Sequence, residues 1–294
     1  MKGFVLLLFT GLFTGGVFIA GKLARIDDIP VLSILVWQVS GAGLILWAAS
    51  LITRKQLQWN MQHIRYYLIG GMFGVSIPFG LVYTVLEEVS VGLVGLITAL
   101  SSMVTYAMAR FIGLEPDSKA RLVGLLTGLT GVALIMVTRD TAADVQQWPY
   151  LLASLGIPAS LAFSNIYRSY AWPEGSEPLP LATGMLTLQG LILIPIVGLF
   201  GVLQLPVLTS TSSGFVAIAL MTMAGLSYLG TFALLRINGP VYLSQLGYVI
   251  TAVTVGAGFF FMGEHYNRLD WISMGIIFCG LLLVSHKNQE PKQG

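Results

Sequence analysis

From Gly3 to Gly21 the chain reads GFVLLLFTGLFTGGVFIAG, without a charge or a side-chain amide, and runs of this kind recur to within a few residues of its end. Crossing a hydrocarbon layer about 30 Å thick takes about 20 mostly apolar residues at about 1.5 Å per helical residue. Inside that layer no water can satisfy a backbone N–H or C=O, so only helices and closed barrels span it. The alternation of apolar and polar residues that marks a barrel strand is absent. Helices remain. Read from one polar interruption to the next, the expected spans are 3–21, 31–52, 66–86, 90–112, 119–138, 148–170, 181–203, 213–235, 240–262 and 269–286. The first of these is of full spanning length and leads straight into the second, so it is read as a retained helix and not as a cleaved signal.

Composition agrees with hydrocarbon as the solvent. Only 10% of the 294 residues are charged, against roughly 25% in an ordinary soluble domain. The net charge of +2 is spread through short loops, with no basic stripe, which sets nucleic acid aside as a partner. The expected partners are the lipid bilayer and a small-molecule substrate, with the chain a monomer or a homodimer. Lys and Arg positions set orientation. Eleven of the 15 basic residues, Lys2, Arg54 and Lys55 among them, fall on the side of both chain ends, leaving Lys22, Arg25, Arg139 and Arg268 on the other. Both termini are therefore expected in the cytoplasm of a cell whose inner membrane holds the protein. The single cysteine, Cys279, is expected to be a small buried hydrophobe.

Two charged stops interrupt the apolar text, RFIGLEPDSKARLVG at 110–124 and FFFMGEHYNRLDWIS at 259–273. Laid so that Glu115 falls on Glu264, the chain also brings Arg121 beside Asp270 and Gly131 onto Gly280. The same register puts Phe79 over Tyr228 and Tyr83 over Phe232, two aromatics one helical turn apart in each copy. A small change of register puts Gln38 over Gln189. A five-helix unit has been used twice, and because five is odd the second copy enters the membrane from the opposite side. The expected fold is thus all-α integral membrane, ten transmembrane helices as two inverted-topology five-helix repeats, residues 1–139 and 148–287, with a short cytoplasmic tail at 288–294.

The stretch VSVGLVGLITALSSMVTYAMARFIGLEPDSKARLVGLLTGLTGVALIMVTR (89–139) resembles the end of the first repeat of the drug/metabolite transporter superfamily, EamA type. GPVYLSQLGYVITAVTVGAGFFFMGEHYNRLDWISMGIIFCGLLLVSHK (239–287) resembles the end of the second, including the Gly-Glu that closes the ninth helix. The resemblance covers essentially the whole chain. It implies a two-fold helical transporter that moves small metabolites, commonly outward, through a central cavity, with the fifth and tenth helices at the periphery. One departure stands out: many members carry an Arg in the middle of the second helix, where this chain has Gln38, so no fixed positive charge is expected at that point.

Arg168, in SNIYRSYAW, follows several turns of apolar sequence. It either snorkels to the headgroups or faces inward, where it would hold a carboxylate or phosphate in bidentate fashion. The resemblance places SNIYR on the cavity-lining sixth helix, which makes Arg168 the leading binding candidate. The aromatics Phe79, Tyr83, Tyr106, Tyr228, Phe232 and Tyr248 and the polar Ser101, Asn165 and Gln245 complete the expected substrate-binding set, because hydroxyls and amides in hydrocarbon need partners. Gln38 and Gln189 are expected to bond between helices, Lys22 to be a surface lysine, and Glu115 and Glu264 to cap turns. Glu87 and Glu88 are expected to form a solvated cap on the outer loop. Pro78, Pro158 and Pro195 are expected to bend the third, sixth and seventh spans.

No catalytic residues, cofactor or metal site are expected. His63, His265 and His286 sit at span ends, and neither a metalloprotease motif nor a nucleotide-binding loop occurs. The chain is therefore read as a non-enzymatic secondary transporter, an exporter of an amino acid or similar neutral or zwitterionic solute by alternating access, with proton coupling possible. A passive channel or facilitated-diffusion pore, and an intramembrane or lipid-modifying enzyme, are the alternatives.

Overall fold

The computed structural model describes residues 2–26, 28–113, 119–138, 148–204 and 211–285. Glu115, Arg139, His286 and the tail 288–294 lie outside the described residues, as does the side chain of Arg121. Every regular element within them is helical. In chain order these are α1 (Lys2–Ile26), α2 (Val31–Ile52), α3 (Met61–Gly71), a π-helical segment (Met72–Ser76), α4 (Ile77–Val85), α5 (Val91–Ala99), α6 (Ser101–Phe111) and α7 (Lys119–Thr138). They continue with α8 (Trp148–Ser154), α9 (Gly156–Tyr170), α10 (Pro178–Leu199), α11 (Thr211–Ser244), α12 (Leu246–Phe261) and α13 (Arg268–Ser285).

Among the described residues, seven helical stretches are long and apolar enough to cross a membrane, and Leu246–Phe261 is a shorter apolar helix. Their outer surface carries Leu44, Leu199, Phe260 and Phe261, each largely exposed. Exposed apolar side chains on helices of spanning length face lipid. The chain is a multi-pass membrane protein.

Local chemistry moves several expected boundaries. The third span begins at Met61, not at 66, because the Asn60 side chain accepts the His63 N–H at 3.0 Å and caps the helix one turn earlier. The eighth and ninth spans part within the expected 235–240 break, at a kink between two helices and not at a longer loop. Helix α11 turns at Gly239 (φ 80°, ψ 178°), a conformation that an L side chain rarely adopts, and Pro240 restarts it. Shorter interruptions fall at Leu100, between α5 and α6, and at Gln245, between α11 and α12. These two joints meet, since a Cβ on Gly247 would lie 2.5 Å from the Ala99 Cα.

Helices pack where side chains are small. α7 and α13 lie along each other so closely that a Cβ on Gly280 would stand 2.6 Å from the Gly124 carbonyl oxygen and the Gly128 nitrogen. α1 packs on α11 and α12, α2 on α10 and α11, α9 on α4 and α6, and α5 on α12. Gln38 and Gln189 do bond between helices, Gln38 Oε1 accepting from the Tyr83 hydroxyl at 2.6 Å and Gln189 Oε1 from Ser76 Oγ at 2.6 Å. Cys279 is a correction: it is exposed on α13, facing outward and not buried. Apolar side chains suit both faces of a helix in lipid, so composition gave no warning of which way it points.

Candidate functional site

The third span does not run as one α-helix, and the reason is Pro78. Lacking an N–H, Pro78 can satisfy neither the Phe73 carbonyl in π-helical register nor the Gly74 carbonyl in α-helical register. The helix widens over Met72–Ser76, with the Ile77 N–H reaching back to the Met72 carbonyl. The neighbouring α9 supplies a donor that the backbone lacks: Ser160 Oγ donates to the Phe73 carbonyl at 2.8 Å. One turn along, Ser164 Oγ donates to the Gly70 carbonyl at 3.1 Å.

The same contact lets a cation into the interior. Gly70 and Gly74 present no side chain to α9, and a Cβ on them would lie 3.2 Å from Arg168 Cγ and 3.6 Å from Arg168 Cζ. Through this gap Arg168 reaches inward; it is 2% exposed and does not snorkel. Its Nη2 donates to Asn165 Oδ1 at 2.9 Å and its Nε to the Ser164 carbonyl at 3.3 Å. The guanidinium lies 5.3 Å from the centre of the Phe232 ring. Nη1 is buried without a partner, and the ion pairs among the described residues, Arg25–Glu87 and Lys55–Glu177, do not include Arg168. A buried charge without a counter-ion costs on the order of several kcal/mol, and the unpartnered Nη1 leaves room for an anion's oxygen as a further acceptor.

Arg168 borders a central cavity of about 60 Å³. Phe18 of α1 and Phe79 of α4 form an edge-to-face pair on its wall, with ring centres 5.9 Å apart, and Tyr228 of α11 stands 6.3 Å from Phe79. The Tyr228 hydroxyl is also buried without a partner. Ser101, just past the α5–α6 joint, and Ser244 and Leu246, on either side of the α11–α12 joint, line the cavity too. One fixed cation and one free hydroxyl, set among aromatic rings, can hold a small anionic group beside an apolar body.

Of the residues expected to bind, Phe79, Ser101, Asn165, Arg168 and Tyr228 come together on this cavity. Tyr83 is fully buried and engaged with Gln38. Phe232 supports Arg168 from beneath and packs at 6.0 Å on Trp172. Tyr106 is buried on α6, away from the lining, and Gln245 and Tyr248 sit half-buried at the α11–α12 joint, with Tyr248 at 6.5 Å from Phe278. Sequence reasoning missed Thr14 and Ser227, whose hydroxyls bond across α1 and α11 at 2.5 Å, and Thr98 and Thr231. A polar residue amid an apolar span was the available signal.

Both ends of the helical bundle around this cavity are tied. At one, Lys22 is a correction: it is half-buried, not a surface lysine, and donates to the Leu86 carbonyl at 2.6 Å and the Val89 carbonyl at 3.4 Å, closing the end of the third span. Beside it Arg25 pairs with Glu87 at 2.8 Å. Glu264, in the segment between α12 and α13, accepts the N–H groups of Val91 at 2.7 Å and Gly92 at 3.3 Å and so caps α5 from outside, where the helix dipole favours an anion. Towards the other end Tyr66, Trp172 and Phe232 cluster, and Arg236 lies 5.4 Å over the Trp172 ring.

Comparison with known proteins bears out the resemblance read from the sequence. Residues 1–137 match the model of the EamA-like transporter family. The uncharacterized inner membrane transporter YedA of Escherichia coli (strain K12) is 25% identical over 266 residues, 88% of this chain and 83% of that protein. Protein PecM of Dickeya dadantii (strain 3937) is 21% identical over 257 residues, 87% of this chain and 83% of its own. A solved crystal structure superposes with a TM-score of 0.64 at 18% identity over 96% of each chain, a likeness of fold alone.

Proposed function

We propose that this EamA-type chain is a secondary transporter that carries small solutes bearing a carboxylate, amino acids above all, outward across the cell's inner membrane by alternating access. The observation that carries the reading is Arg168, buried on the central cavity with Nη1 unpartnered and no counter-ion among the described residues. The solute's carboxylate takes Nη1 and the Tyr228 hydroxyl, while Phe18 and Phe79 cover its apolar part. Its ammonium group faces the hydroxyls of Ser101 and Ser244.

Alternating access needs two halves that exchange roles, and the helix contacts support such halves. Exchanging the first five spans with the last five turns the packing of α1 on α11 into that of α9 on α4, and of α2 on α11 into that of α10 on α3. It likewise turns α1 on α12 into α9 on α6, and returns α2·α10, α5·α12 and α7·α13 to themselves. Contacts that survive this exchange support reading the two halves as a repeat, inverted because each half has an odd number of spans. The cavity draws on the first, third, fourth, sixth, eighth and ninth spans, which are three exchanged pairs, and the second, fifth, seventh and tenth stand outside it. The Lys22–Glu264 cluster and the Tyr66–Trp172–Phe232 cluster then act as the two gates.

The test is counterflow in proteoliposomes with a panel of radiolabelled amino acids, with and without an imposed pH gradient. Saturable exchange of at least one, lost in Arg168→Ala and partly kept in Arg168→Lys, supports the reading. Flux that grows linearly with concentration identifies a pore, and a panel with no counterflow at all removes the substrate class. Acceleration by the pH gradient assigns proton coupling.

A further inference from the structure

A second cavity lies on the lipid-facing side, apart from the central one. An apolar groove of about 490 Å³ runs between α2 and α10. Its floor is Ser40, Gly43 and Gly190, and its walls are Leu44, Trp47, Leu191 and Ile194. At Trp47 it meets a second hollow of about 440 Å³ that holds Ser50, Arg54, Lys55, Gln56 and Trp59. The two hollows adjoin at Trp47, their common wall, and together form a crease that passes from bare hydrocarbon lining to cationic side chains, with Trp59 at the far hollow.

Lengths fit a single leaflet. Val39 to Trp47 covers about 12 Å along the helix and Val39 to Arg54 about 22 Å, against about 15 Å for half of the hydrocarbon layer. The far end is shut: Ser33 Oγ donates to the Val202 carbonyl at 2.6 Å, and Trp37 Nε1 to the Gln204 carbonyl at 2.7 Å, so residues 202–204 lie across the start of α2. An acyl chain lying in the groove therefore has its polar end towards Arg54.

Arg54 itself is held at a cost. Helix α2 closes with the Arg54 N–H on the Leu51 carbonyl at 3.1 Å and the Lys55 N–H on the Ser50 carbonyl at 2.9 Å. That double closure calls for a left-handed residue, usually glycine. Here the position is Arg54, at φ 55°. Lys55 is engaged with Glu177, whereas Arg54 has no acidic partner among the described residues and is exposed. A strained backbone that presents a free cation points to a ligand-facing role.

We infer that this crease is a binding site for one anionic glycerophospholipid of the cytoplasmic leaflet, an acyl chain lying in the α2–α10 groove and the phosphate resting on Arg54. Trp47 and Trp59 bracket the glycerol region, where tryptophan side chains are at home. The site is independent of what the central cavity carries.

Native mass spectrometry of the purified protein, after incubation with an equimolar mixture of phosphatidylglycerol and phosphatidylcholine in detergent, tests this. The wild type retains one phosphatidylglycerol in preference to phosphatidylcholine by about five-fold, the factor expected for one cation at the membrane surface. Arg54→Gly abolishes that preference, and because glycine is the residue the backbone prefers there, the variant folds at least as well. Arg65→Gln, which removes an exposed cation on α3 away from the crease, leaves the preference intact. A preference unchanged in Arg54→Gly overturns the proposal, as does a lipid-free dimer as the main species, which would make a second copy the occupant of the groove.

Discussion

Replacing Arg168 with Met separates stability from binding. The guanidinium makes a 2.9 Å charge-assisted bond to Asn165 Oδ1, a longer 3.3 Å bond to the Ser164 carbonyl, and a cation–π contact with Phe232. The first contributes about 1.5–3 kcal/mol and the long one about 1 kcal/mol, and a desolvated cation–π pair about 2 kcal/mol. Against these stands a desolvation cost on the order of several kcal/mol for the buried ion, the unpartnered Nη1 included. The two sides nearly cancel, so Arg168→Met should unfold within about 2 kcal/mol of the wild type in detergent, measured by chemical denaturation. Ligand should separate the two proteins. A transported amino acid at about a hundred times its dissociation constant raises wild-type stability by about 2.7 kcal/mol and should leave Arg168→Met unmoved. A loss above about 4 kcal/mol in the variant, of the size seen when a partnered buried charge is stranded, would refute the claim that Arg168 lacks a counter-ion. A ligand shift kept in full would refute its role in binding.

Three further outcomes follow from the packing. In Gly74→Ala the new methyl collides with Ser164 Oγ, the donor to the Gly70 carbonyl one turn from Arg168; a stability loss of about 1–3 kcal/mol, with counterflow reduced further than that loss explains, is the expected result in parallel denaturation and transport assays. Gly280→Val would drive a side chain into the Gly124 and Gly128 backbone, which cannot swing aside, so hydrogen exchange over 119–138 should speed up while ligand-induced stabilisation persists. Glu264→Gln keeps the shape but removes the charge that caps α5; a loss of about 0.5–2 kcal/mol, seen as a lower denaturation midpoint, is expected.

Helix existence was legible because hydrocarbon leaves the backbone no other option, and punctuation by Pro, Gly and charge located most ends. Arg168 and Asn165 were legible as a pair, since polar residues three apart share a helix face. Orientation within a helix was not. With lipid as the outer solvent, Cys279 facing out and Tyr83 facing in carry no contrasting pattern around them, so one was expected buried and the other on the cavity. Lys22 failed for a different reason: its partners are backbone carbonyls of Leu86 and Val89, which leave no trace in residue type. The widened turn at Met72–Ser76 was signalled only by Pro78, and a proline announces a missing donor without saying which neighbour replaces it.

That replacement links two helices mechanically. Because the Phe73 carbonyl is held by Ser160 and the Gly70 carbonyl by Ser164, any flexing of the third span at its proline tugs on α9 at two points a turn apart. Arg168 rides on α9 one turn beyond the second. Bend and cation thus form a single lever: under the proposed function, a solute that drew the guanidinium towards itself would pull on the neighbouring helix in the same stroke.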